Sequence, residues 1–415
     1  MRRAAKSFRL HIGLFGRRNV GKSSLLNALT RQRAAIVSNV AGTTTDPVEK
    51  PMELLPIGPV LFIDTAGIDD EGDLGTLRVR RTNQVLDRTD VGVIVTEAER
   101  FDQYELRLIE ELKTRGVPRI VVFNKCDLQR PTPECVAEIT RSGASVVETA
   151  ATAGQGVLDL RDAFVRVVPE EFLSPPPIVA DLVPAGELAV LVVPIDLEAP
   201  KGRLIQPQVQ TIRELLDADA YCMMVKEREL RDALERLRRP PALVVTDSQA
   251  FLKVAGDTPR DVKMTSFSIL FARQKGDLSE FVRGALAIDQ LKPGSRVLIA
   301  EACSHHPIGD DIGRVKIPRW LRQYVGGQLE IETTQGHDFP ENLNEFDLLV
   351  HCGACMWNRR EVLSRILRCR QAGVPMCNYG MTIAYTLGIF DRALEPFPDA
   401  MELYHQLTTR GDESL

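Results

Sequence analysis

A chain of 415 residues exceeds one ordinary core, since domains usually hold ~100–200 residues, so two or three domains are expected. Its 52 basic and 57 acidic side chains leave a net charge of −5, which offers no overall attraction to a phosphate backbone or an anionic membrane and argues against nucleic acid and membrane as partners. No run approaches the ~20 apolar residues of a bilayer span, and the opening MRRAAKSFRLHIGLFG, interrupted by His11 and Gly13, reads as a first buried strand rather than a secretory leader. A cytoplasmic protein is expected, its eight cysteines serving as thiols or metal ligands rather than disulfides.

From Leu10 to about Val168, strand-like runs (HIGLFG, VLFIDTAG, VGVIVTEA, RIVVFNKCD) alternate with helical patterns such as SSLLNAL and YELRLIEELKTRG. This rhythm predicts a mostly parallel sheet covered by helices over residues 1–170. A proline-rich linker is expected over 171–183. A small α/β domain over 184–263 follows, with strands ELAVLVVPID, AYCMMVKE and PALVVTD and intervening helices; its three-stranded sheet would leave edges for self-association, or the domain is a spacer. The last domain, 264–415, is again parallel α/β, with strands SRVLIAEA, FDLLVHC and VPMCNYG and the helix REVLSRILRCRQAG.

Gly16-Arg17-Arg18-Asn19-Val20-Gly21-Lys22-Ser23, followed by Ser24, lies between a predicted strand and a helix, the context of a phosphate-binding loop. There Lys22 reaches the β- and γ-phosphates and the Ser23 hydroxyl takes a magnesium position. Asp64-Thr65-Ala66-Gly67 ends the next buried strand, placing the Asp64 carboxylate to hold magnesium through water and Gly67 near the γ-phosphate. In Asn124-Lys125-Cys126-Asp127, Asp127 accepts from the guanine N1–H and exocyclic amine, which adenine cannot offer, so GTP and GDP are the expected nucleotides.

These residues resemble the translation-factor-like GTPases, in the branch that modifies tRNA and assembles ribosomes. The resemblance covers residues 10–160 and includes Ala41-Gly42-Thr43-Thr44, with Thr44 implied as the switch threonine on magnesium. Thr149-Ala150 stands where that family has serine-alanine at the base. Ile68 follows Gly67, so no glutamine orients the attacking water, and slow unaided hydrolysis is expected. In the resembling branch an asparagine at the Asn19 position ligates potassium, which implies hydrolysis stimulated by potassium.

Cys303 lies just past the strand SRVLIAEA, and Cys352 and Cys355 just past FDLLVH. Loops at the carboxyl ends of parallel strands face one crevice, so the three thiols can converge. Three thiolates with a nearby imidazole suit a structural zinc or an iron–sulfur cluster, and buried cysteines of no special role are the plain alternative. The order of domains, with Cys303-Ser304-His305 and His351-Cys352-Gly353-Ala354-Cys355, resembles the GTPases that mature [FeFe]-hydrogenase, over nearly the whole chain. That resemblance implies a [4Fe-4S] cluster on Cys303, Cys352 and Cys355 with an exchangeable fourth site. It further implies a scaffold that transiently carries a diiron subcluster precursor, dimerisation through the middle domain, and apo-[FeFe]-hydrogenase and the radical-SAM hydrogenase maturases as partners. His305 and His351 match the motif histidines; ligation, a hydrogen bond to a sulfide and positioning of the loop all stay open for them. His306 could substitute for His305, and Cys377 could line the crevice. The rival is a ribosome- or tRNA-directed GTPase with a structural zinc site, which the acidic balance disfavours.

Overall fold

In the computed structural model, which describes residues 6–30, 47–65, 81–194, 204–302 and 311–412, the apolar run Leu10–Phe15 forms strand β1, buried along its whole length. Val48–Leu54 (β2), Gly58–Asp64 (β3), Val91–Thr96 (β4), Arg119–Phe123 (β5) and Ser145–Glu148 (β6) complete a six-stranded sheet in the order β2-β3-β1-β4-β5-β6. All neighbours are parallel except β2 against β3. The interior strands are continuously apolar because helices cover both faces. Leu10, Ile12 and Leu14 pack under the helices Lys22–Thr30 and Val157–Val167, whereas Phe15 and Ile94 pack toward Gln103–Thr114, with Leu108, Ile109 and Leu112. Asp102 and Glu105 begin the latter helix as a reciprocal capping box.

This sheet lies in the first of two compact units, Met1–Pro175; the second is Pro176–Leu415. The segment expected as a linker over 171–183 is therefore divided. Its second half is built into the core, with Ile178 and Val179 buried and the N–H groups of Ile178, Val179 and Ala180 all donating to Glu214 Oε1 at 2.7–3.0 Å.

The second unit holds two parallel four-stranded sheets over one apolar core. Leu188–Val192 (β7), Tyr221–Val225 (β8), Leu243–Thr246 (β9) and Met264–Ser266 (β10) pair in the order β10-β9-β7-β8. The middle sheet thus has four strands, not the three expected, and β10 falls just beyond the expected boundary at 263. Arg296–Glu301 (β11), Glu330–Gln335 (β12), Leu348–His351 (β13) and Met376–Asn378 (β14) pair in the order β12-β11-β13-β14. The helix Phe267–Lys275 leaves β10 with Ser266 as its cap and packs against the helices Gln206–Asp217, Arg359–Ala372 and Tyr379–Thr386, joining the two sheets. The expected α/β class, a mostly parallel P-loop GTPase sheet followed by parallel α/β units, is the observed one. No helix among the described residues is long and apolar enough to cross a membrane.

Candidate nucleotide and metal-cluster sites

At the carboxyl end of β1 the chain turns sharply into a helix. Gly16 has φ +138°, and a Cβ there would stand 2.2 Å from the Val95 carbonyl oxygen; Gly21, at φ +93°, would drive a Cβ to 2.2 Å from Asn124 Nδ2. Both positions require glycine. Lys22 is buried and donates to the carbonyls of Gly16 at 2.7 Å and Arg17 at 2.8 Å. Asn19 is exposed, with left-handed φ +64°, and Ser23 and Ser24 are exposed on the first turn of the helix.

The Asn124-Lys125-Cys126-Asp127 motif is bonded directly to this loop. Asn124 Nδ2 donates to the Val20 carbonyl at 2.9 Å, and Asn124 Oδ1 accepts from Thr149 Oγ1 and from Ala151 N–H, both at 3.1 Å. Lys125 Nζ donates to the Asn19 carbonyl at 2.9 Å and pairs with Glu97 at 2.6 Å. One side-chain amide thus ties together the loops after β1, β5 and β6, and threonine at 149 supplies the hydroxyl that orients it. Ala150 itself is buried, its N–H donating to the Gln155 carbonyl at 3.1 Å. Asp127 is exposed.

Asp64 ends β3. Burial pushes its carboxyl above the ordinary range, against Lys22, Lys50 and a hydrogen bond from Ser23. Among the described residues its Oδ1 is enclosed without a hydrogen-bond partner, the condition a divalent cation or its water would relieve. Thr44 and Gly67 lie outside the described residues. Sequence reasoning missed Arg17, which pairs with Asp102 and with the fully buried Glu105 at 3.2 Å and lies 5.3 Å from the centre of the Tyr104 ring. These contacts anchor the phosphate loop to the helix Gln103–Thr114; a lone arginine in a loop carried no signal of that distant partner.

The second site lies in the other unit, at the ends of β11 and β13. Cys352 N–H donates to the Ala300 carbonyl at 2.9 Å, and Cys352 Sγ accepts from Ala302 N–H at 3.0 Å, so the residue preceding Cys303 in the sequence touches the Cys352 sulfur. Cys303 and His305 lie outside the described residues, as does His306. Among the described residues, no three histidine, cysteine or acidic side chains cluster closely enough to hold a metal. Burial pushes the Cys352 thiol up to about 11 despite the amides of Ala302 and Ala354. It raises Cys355 as well, with Lys275 pulling the other way.

Lys275, at the end of the helix Phe267–Lys275, is buried beneath this loop. Its ammonium donates to the carbonyls of Ala354, Cys355 and Trp357 at 2.9, 3.2 and 2.7 Å. Burial pulls it down to about 8, opposed by Cys355 and Cys352, and the three carbonyl acceptors match the three N–H donors of an ammonium. Ala354 between the cysteines takes left-handed φ +48°.

His351 is fully buried, and burial followed by Arg365 lowers its pKa to about 3, so the ring is neutral. Nδ1–H donates to the Cys352 carbonyl at 2.7 Å, and Nε2 therefore accepts from Arg365 at 3.2 Å. Both ring nitrogens are thus engaged within the protein, which places His351 behind the loop. Arg365 lies 4.1 Å from the Trp357 ring centre, and His337 stacks on the same ring at 5.5 Å. Cys377 is wholly buried in the core with its thiol pushed up to about 12, which removes it from the crevice. Lys275, Arg365 and Trp357 were not legible as site residues.

The chain matches three family models: the 50S ribosome-binding GTPase over residues 11–125, the hydrogen maturase F dimerization domain over 178–276 and the hydrogen maturase F tetramerization domain over 279–396. It is 34% identical over 160 residues to the tRNA modification GTPase MnmE of Chromobacterium violaceum, covering 38% of this chain and 35% of that protein. The Bacillus subtilis MnmE is 36% identical over 153 residues, covering 36% and 32%. The chain spans about a third of the length of these curated relatives. Among solved structures, the G domain of the T. maritima FeoB iron transporter aligns with TM-score 0.31 and 23% identity over 39% of this chain and 99% of that one. The selenocysteine-specific elongation factor EF-Sec aligns with TM-score 0.32 and 15% identity over 45% and 32%. Two hydrogen maturase F models, which together span more than half of the sequence, stand behind a GTPase domain, and the chain belongs to the hydrogen maturase F family.

Proposed function

We propose that this chain is a GTP-hydrolysing scaffold that carries a [4Fe-4S] cluster on Cys303, Cys352 and Cys355 and assembles and delivers the diiron subcluster during [FeFe]-hydrogenase maturation. The observation that carries the reading is the Cys352–Cys355 loop, in which half-buried cysteines face backbone N–H donors above a buried lysine. Thiols that burial holds protonated become thiolates when a metal compensates their charge, and amide donors with a nearby cation suit an anionic thiolate cluster. Such a cluster with one position not closed by a thiolate supplies a vacancy through which a second metal unit can bridge. Apo-[FeFe]-hydrogenase and the radical-SAM maturases are the partners this role requires.

In the nucleotide site, Lys22 turns from the Gly16 and Arg17 carbonyls onto the β- and γ-phosphates, Asn124 holds the phosphate loop, and Asp127 accepts from guanine N1–H and the exocyclic amine. Ser23, Thr44 and Asp64 would hold magnesium, which supplies charge neutralisation on the phosphates, and the enclosed Asp64 Oδ1 fits that role. Asn19 would hold potassium through its exposed amide oxygen. GTP hydrolysis is expected to run faster in potassium chloride than in sodium chloride at equal ionic strength, and equal initial rates would remove Asn19 from this role.

In this reading self-association uses the β8 edge. Among the described residues β8 pairs with β7 alone, and Tyr221 is 65% and Met224 39% exposed. Tyr221 N–H bonds the Glu187 carbonyl on the β7 side, so by strand alternation the N–H groups of Cys222 and Met224 face the open edge. Met224→Pro removes an outward donor while sparing the β7 ladder, and light scattering is expected to show the dimer reduced to monomer, with far-UV circular dichroism retained.

Anaerobic purification with iron, sulfide and zinc analysis tests the whole reading. About four irons per chain are expected; zinc without iron would favour a ribosome- or tRNA-directed GTPase.

A further inference from the structure

Lys275 presents a buried ammonium with three N–H donors, and one loop supplies all three acceptors: the carbonyls of Ala354, Cys355 and Trp357 at 2.9, 3.2 and 2.7 Å. The opposite ends of two of these peptides, the N–H groups of Cys355 and Met356, point toward the Cys355 sulfur, and the preceding peptide turns its own N–H, that of Ala354, toward Cys352. Collecting the carbonyls on one side turns the amides to the other, and the left-handed Ala354 reverses the chain between them. The lysine is itself fixed, because Arg359 donates to the carbonyls of Gln274 at 2.7 Å and Gly276 at 2.9 Å, on either side of it. An ammonium is costly to bury unless its donors are satisfied. All three of its donors are spent on the loop that carries the two thiols, which points to service for what those thiols hold.

We propose that Lys275 is the positioning residue of the cluster loop: it gathers the loop carbonyls so that the Cys355 and Met356 amides point at the Cys355 sulfur, and its charge favours the more reduced form of the group bound there. The second clause rests on the cluster reading given above. Reduction adds an electron to an anionic centre, and a fixed positive charge stabilises the product over the reactant.

The test uses the full chain with Lys275→Gln, which keeps two N–H donors without the charge, and Lys275→Met, which keeps neither. In the iron-free protein, hydrogen exchange followed by mass spectrometry is expected to quicken in peptides covering 352–358 in Lys275→Met while the β11 and β13 peptides stay protected. After anaerobic reconstitution with ferrous iron and sulfide, Lys275→Gln is expected to hold iron but show a more negative midpoint potential in an EPR-monitored titration. Lys275→Met is expected to lose about 10–100-fold in iron affinity, the usual effect of removing a group that orients metal ligands. Unchanged exchange in Lys275→Met, or an unchanged potential in Lys275→Gln, overturns the proposal. If the unsubstituted chain takes up no iron, the cluster reading falls and the exchange measurement alone decides the positioning role. Circular dichroism identifies a variant that has not folded, in which case the other variant decides.

Discussion

Asp127→Asn is expected to convert the nucleotide site from guanine to xanthine. The Asp127 carboxylate would accept from both the N1–H and the 2-amino group of guanine. An asparagine still accepts from N1–H but turns its amide N–H groups against the 2-amino group. Xanthine carries a carbonyl at that position, so the same amide becomes a donor with a partner. Loss of one charge-assisted hydrogen bond, about 1.5–3 kcal/mol, and weakening of the other to a neutral one lower GTP affinity by about 10–10³-fold, and XTP affinity rises in step. Competition titrations with the two nucleotides check this, and a variant that still prefers GTP would remove Asp127 from base recognition. The Asn124 contacts to Val20, Thr149 and Ala151 do not involve the substituted side chain, so the phosphate loop should stay in place.

Cys352→Ser and Cys355→Ser are each expected to lower iron affinity by about 100-fold or more, beyond the range typical of a group that merely orients the ligands. A serine hydroxyl is a poor substitute for a thiolate toward iron, and here it would have to ionise in a site that already resists the thiolate. Burial holds Cys352 up near 11, so binding must release its proton, and iron uptake by the unsubstituted chain should strengthen as pH rises toward that value. Cys369→Ser and Cys377→Ser alter thiols enclosed in the core and serve as controls whose iron content should track folding alone. Iron per chain and the visible charge-transfer band measure the effect; full iron content in either loop variant would remove that cysteine from the ligand set.

His351 shows how far a motif can be read before coordinates are at hand. The sequence places it beside Cys352 and favours a supporting or exchangeable role over ligation without deciding among them. Its environment comes from elsewhere: Arg365 on the helix Arg359–Ala372 takes Nε2, the Cys352 carbonyl takes Nδ1, and Trp357 closes over the ring. The nucleotide motifs were easier, because phosphate and base recognition depend on backbone turns encoded by contiguous residues. Even there, the use of Thr149 to orient Asn124 and the anchoring of Arg17 by Glu105 required partners 25 and 88 residues away.

By itself the sequence determined the α/β class, the interior strands and the order of the nucleotide motifs. A strand covered on both faces must be apolar throughout, and a phosphate loop must carry its glycines and lysine at set intervals. The four strands it left unread, β2, β6, β10 and β12, all lie at sheet edges: β6 and β10 have only four and three residues, Glu330–Gln335 reads EIETTQ, and β2 carries Pro51. Tertiary structure alone decided that Ile178 and Val179 belong to a core, that Cys377 is enclosed and that Lys275 sits under a loop 79 residues further along. The reason is common to all of them: burial and ion pairing are set by what packs opposite a residue, and a linear pattern records only what stands beside it.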